Sequence, residues 1–137
     1  MFSKLSPGVT NASYYNQAAR NVACMAEAAR CAGARPEQLD ILGFYVVAPA
    51  SQLEEFSKQM ARDSIVETVK RRVDEYKGGT DEWYHHSFTP IAEKAEIRTV
   101  AWEDVTDDII KIDPDFGDEL TAFYDNCLQF NRPDSGR

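Results

Sequence analysis

The chain has 137 residues, 43% of them hydrophobic and 28% charged, a length and balance that suit one folded domain with a real core. Its net charge of −8 counts against a free-standing nucleic-acid binder, because phosphate binding needs a basic face. No run of 18 apolar residues occurs and the opening residues lack a signal-peptide layout, so a cytoplasmic chain without a membrane partner is expected.

Charge is unevenly spread. Residues 1–40 carry Lys4, Arg20, Arg30 and Arg35 against Glu27, Glu37 and Asp40, a balance of +1. Residues 41–137 hold eleven basic and twenty acidic side chains, a balance of −9. An anion is therefore expected to meet the N-terminal third. Cys24, Cys31 and Cys127 are odd in number and show no metal spacing, which reads as free thiols.

In chain order, Asn11 or Ser13 can cap a helix over roughly 14–32, with Ala18, Ala19, Val22, Ala23, Met25, Ala26 and Ala29 as its packing face and Gly33 past its end. The apolar run from Ile41 to Ala48 predicts a strand covered on both faces. Ser51 and Glu54 have the spacing of a capping box, and 51–77 reads as one bent helix or two in series, parted near Asp63. Lys70, Arg71 and Arg72 interleave with Glu67, Asp74 and Glu75, which predicts an ion-paired solvated face rather than a phosphate grip.

The stretch "TDEWYHHSFTP" reads as a loop or short helix, and His85-His86 as surface histidines, since adjacent side chains diverge too far to grip one ion. "EIRTVAW" predicts a second, edge strand with Ile97, Thr99 and Ala101 on one side. A helix follows with Val105, Ile109, Ile110 and Ile112 in its apolar set. Asp113-Pro114 then caps and starts the last helix, where Phe116, Leu120, Phe123, Tyr124 and Cys127 recur at helical spacing. The tail from 133 to 137 is expected to be loose. The eight carboxylates from Glu103 to Glu119 sit largely at helix starts, which the macrodipole explains without a metal. On the first helix Gln17, Asn21 and Cys24 share a polar stripe beside Arg20, either solvent-facing or looking into a cleft.

The fold class read from these elements is α/β: two strands, too few to cover the four or five helices flanking them, so an incomplete sheet. Extra strands from the 80s loop or the N-terminus, a partner chain, or a segment upstream of Met1 are the three ways to complete it.

The stretches "LSPGVTNASYYNQAARNVACMAEAA", "LGFYVVAPASQ", "SIVETVKRRVDEY", "VAWEDVTDDI" and "ELTAFYDNCLQFN" together resemble the C-terminal part of a PD-(D/E)xK, or restriction-endonuclease-like, nuclease domain. In that family an Asp-bearing strand and a Glu-x-Lys strand precede such a helix and hold Mg²⁺ ions that activate water. The resemblance implies that Gln17 lies near the nuclease cleft; Arg20 and Asn21 from the same polar stripe, and Lys4, are further cleft or nucleic-acid-facing candidates. It implies no catalytic residue here: no Asp or Glu precedes Glu27, and Lys4 has no acid two places before it. Two expectations follow. One is a truncated nuclease-like domain, inactive as this chain and without cofactor, binding Mg²⁺ and nucleic acid only if an upstream segment completes it. The other is an acidic interaction or regulatory module that forms a homodimer across its sheet.

Overall fold

The computed structural model describes residues 8, 10, 12–76, 78 and 81–130. Its first helix, α1 (Gln17–Cys31), starts at Asn16, whose side-chain oxygen accepts a hydrogen bond from the Ala19 N–H at 3.0 Å. Of the expected caps, Asn11 lies outside the described residues and Ser13 stands too early; Asn16 has the extended backbone directly before helical geometry. Ala18, Ala19, Val22, Ala23 and Ala26 are buried, as their spacing predicts, and Gly33 takes the left-handed conformation (φ 64°) past the helix end.

Strand β1 (Gly43–Ala48) pairs in parallel with β2 (Glu96–Ala101), from Gly43 opposite Glu96 to Ala48 opposite Ala101. These are the two strands among the described residues, and the chain is a small α/β protein with an incomplete sheet. Phe44, Val46 and Ile97 pack on the core, and Ala48 and Ala101 are buried. The opposite face is open. Tyr45 and Val47 are exposed there beside Glu96 and Arg98, and Ile41 precedes β1 at 88% exposure. The expectation of a strand covered on both faces is therefore corrected: the apolar run is continuous, but among the described residues layers lie on one side only.

Two helices in series follow β1, α2 (Leu53–Met60) and α3 (Arg62–Glu75), parted at Ala61, whose extended ψ of 127° breaks the helix. Ser51 falls in a 3-10 turn and Gln52 occupies the cap position without a side-chain bond, so the Ser51–Glu54 box does not form. Ile65, Val69 and Val73 face inward. Lys70 pairs with Asp74, and Arg71 with Glu75 at 3.0 Å, which is the ion-paired face the sequence implies.

The 80s stretch adds no strand. It is helical throughout: a turn α4 (Asp81–Trp83), a π-helical segment (Tyr84–Phe88) and α5 (Thr89–Lys94). The π turn is closed by the Thr89 N–H and hydroxyl, both donating to the Tyr84 carbonyl. Pro90 explains the irregularity, since it has no N–H to give to the preceding turn. The segment is largely core: Phe88 is fully buried, its ring stacked 5.4 Å from Tyr84 and 5.7 Å from Trp83. Burying such a ring contributes about 2–3 kcal/mol. Arg62 fastens α3 to this segment, its guanidinium donating to the carbonyls of Ala92, Glu93 and Ala95 at the C-terminal end of α5.

Helices α6 (Trp102–Ile112) and α7 (Pro114–Phe130) close the described chain as a hairpin. Asp113 accepts from the Phe116 N–H at 3.1 Å and starts α7, as Asp113-Pro114 predicts. Gly117 lets the helices touch: a Cβ there would stand 2.5 Å from Ile110 Cγ1 and 2.6 Å from its Cα.

Candidate functional site

Two surfaces combine unusual geometry with chemistry. The first is a cleft of about 340 Å³ where α1, α3 and α4 meet. Val69 and Val73 of α3 form its floor, and Tyr15, Tyr76 and Trp83 supply aromatic walls. Glu27 and Arg72 are its charged groups. Glu27 accepts from the Trp83 indole N–H at 2.9 Å and from both Arg30 nitrogens, at 2.8 and 2.6 Å. The Arg30 guanidinium, then the Cys31 thiol, and less strongly the indole, hold its carboxyl down at about 2. Burial pushes the Tyr15 hydroxyl above its ordinary value, opposed by Arg72 and Arg20. The lining contains no serine, cysteine or histidine. It offers an apolar, aromatic slot, not a nucleophile beside a base.

The sequence-derived candidates fall beside this cleft rather than in it. Gln17, Arg20 and Asn21 are half-buried together on the first turns of α1, and Cys24 beyond them is exposed. None of the three lines the cleft, and only the charge of Arg20 reaches it, through Tyr15. Lys4 lies outside the described residues. His85 and His86 are exposed on the π segment; His85 stands edge-on to Tyr84, and His86 lines a separate cavity of about 260 Å³ with Ser87, Arg30 and Arg35. Among the described residues no group of three or more His, Cys, Asp or Glu side chains could hold a metal ion. None of their helices is long and apolar enough to cross a membrane.

The second surface is the α6–α7 hairpin. Its inner contacts use Gly117 and Tyr124; Thr121, on the same side of α7, donates to the Gly117 carbonyl within the helix. Tyr124 donates to Glu103 of α6 at 3.1 Å, and Glu103 also accepts from the Ala50 N–H at 3.0 Å, so one carboxylate ties the hairpin to the end of β1. Burial first, and then Glu103, pushes the Tyr124 hydroxyl up to about 12. The neighbouring side of α7 is uncovered by the described residues. Phe116, Phe123 and Phe130 recur every seven residues at 54%, 66% and 85% exposure, with Leu120 and Cys127 half-buried between them and Ile112 at 85% beside the turn.

Charge follows the same hairpin. Residues 102–130 carry nine acidic side chains against Lys111 alone, a balance of −8. That equals the net charge of the whole chain, so the remaining residues, fourteen basic and fourteen acidic, sum to zero. Phe116 and Phe123 recur at helical spacing with Tyr124 but do not share its packed side. The signal that separates them is the sevenfold spacing of the phenylalanines, offset from the Gly117, Thr121 and Tyr124 set.

No protein-family model, curated protein or solved structure matches this chain. Fold and surfaces define it as a small α/β protein with a two-stranded parallel sheet and an acidic, apolar-striped helical hairpin.

Proposed function

We propose that this chain is an interaction module without enzymatic activity, acting through the α6–α7 hairpin. The observation that carries the reading is the exposed Phe116, Phe123 and Phe130 stripe, a contiguous apolar row of the kind that marks an interaction surface. Large side chains at these positions gain nothing from the fold of a lone chain, because burial is what makes a phenylalanine stabilising. The cleft beside α1 supports ligand contact, and its described lining offers no serine, cysteine or histidine nucleophile beside a base, so it does not favour covalent catalysis.

A second reading, descent from a PD-(D/E)xK nuclease domain, draws support from one feature. The order α1, β1, helical crossover, β2 with parallel pairing resembles the second half of that fold. On this reading too the chain is inactive, and Mg²⁺ and nucleic acid belong only to a complete domain. The homodimer expected from the sequence, which completes the sheet across a two-fold axis, draws support from a sheet of two strands among the described residues.

The test replaces Phe116, Phe123 and Phe130 with Ser together and measures urea denaturation of the full chain. The expected cost is within about 0.5 kcal/mol per position, the range for surface substitutions. A loss of about 3–5 kcal/mol per ring, the range for core phenylalanines, would mean that the stripe is structural and would overturn the proposal. Mg²⁺- or Mn²⁺-dependent cleavage of DNA or RNA, lost on changing an Asp or Glu of this chain, would overturn it as well.

A further inference from the structure

We infer that the occupant of the α7 stripe is a basic amphipathic helix of another protein, its apolar residues flanked by Lys or Arg; this rests on the interaction-module reading. Spacing selects a helix. Side chains seven residues apart on α7 rise by about 10.5 Å, and a facing helix repeats at the same interval. A strand repeats on one side at about 6.8 Å and falls out of step after one contact. The stripe runs from Phe116 to Phe130, and Leu120 and Cys127 complete the alternating four- and three-residue spacing of a two-helix seam.

Charge selects the flanks. Asp115 and Glu119 border the stripe on α7, and Asp104, Asp107 and Asp108 are exposed on α6. Helix α7 has no basic residue, and Lys111 of α6 is engaged by Asp108 at 2.7 Å. A second copy docking here brings −8 against −8, which repels at every flank. Nucleic acid and anionic lipid headgroups are opposed by the same field. Lysines or arginines beside an apolar seam complement it, steering association and fixing register.

The test is calorimetric titration of the full chain with a synthetic helix of about 21 residues, three heptads long, with Leu along the seam and Lys at the flanking positions. Two controls accompany it, one with Glu at the flanks and one of scrambled order. The Lys peptide is expected to bind, and to weaken about tenfold or more between about 0.05 and about 0.5 M salt as flank charges are screened. Paired Phe116→Ser and Phe123→Ser substitutions are expected to weaken it at least about tenfold while circular dichroism shows an unchanged fold. Equal binding of the Glu or scrambled peptide, or indifference to the paired substitutions, would overturn the inference. Absent Lys-peptide binding together with self-association that the paired substitutions abolish would assign the stripe to a second copy. That outcome overturns the basic-helix occupant and leaves the interaction-module reading standing, whereas unfolding of the triple Ser variant defeats that reading itself.

Discussion

Glu27 shows how much one side chain can organise. It stands on α1, yet its carboxylate fixes the Trp83 indole at the cleft and holds Arg30 in a fork within its own helix. Those donors favour the ionised form, so its folded pKa of about 2 lies below the ordinary value of 4.5. The sign follows from linkage: the stabilisation is complete above about pH 4.5 and is lost as pH falls through about 2. A carboxyl titration by NMR is expected to place the Glu27 midpoint near 2, and Arg30→Ala to move it up toward 4.5; a midpoint near 4.5 in the unaltered chain would contradict this. In sequence Glu27 is the first acidic residue and Arg30 its helical neighbour, so that pair was legible. The Trp83 bond spans 56 positions, and nothing in local pattern announces it.

Among elements, those built on strong local periodicity were readable: α1, α3, both strands, α6 and α7 stand where apolar spacing puts them. The failures share a cause. Burial on the second face of β1 and the role of the 80s stretch depend on which layers lie opposite, and a short apolar run does not encode that. Asn16 outcompeted the earlier caps because Tyr14 and Tyr15 are held outside the helix: Tyr14 bonds Glu75 through its hydroxyl, and Tyr15 packs on the core. Arg62 was also missed, being one arginine among several. Its guanidinium meets three carbonyls at the end of α5, where the helix dipole favours a cation. Arg62→Ala is expected to cost about 1.5–3 kcal/mol in urea denaturation, as for hydrogen bonds from a charged donor. Arg62→Lys should restore only part, lacking the planar fork. A neutral Arg62→Ala would mean that α3 and α5 are held by apolar packing alone.

At the scale of the whole molecule, the chain divides by charge more sharply than by fold. The part before the hairpin, residues 1–101, is nearly balanced at −1, and the hairpin holds a charge of −8 together with the exposed phenylalanines. Composition gives only the total, and a cut at residue 40 dilutes the asymmetry into the long C-terminal part. Gln17, Arg20 and Asn21 follow from a polar stripe on α1 and from the nuclease resemblance, in a third whose charge balance is only +1. The surface with a distinctive field is at the other end. The direct measurement is an amide-resolved NMR titration of the ¹⁵N-labelled full chain with the Lys-flanked helix. Shift changes are expected over α6 and α7, largest around Ile112, Phe116, Phe123 and Phe130. Changes centred instead on Tyr45 and Val47 of the open sheet, or on Trp83 and Tyr76 of the cleft, would contradict the assignment of the hairpin as the binding surface.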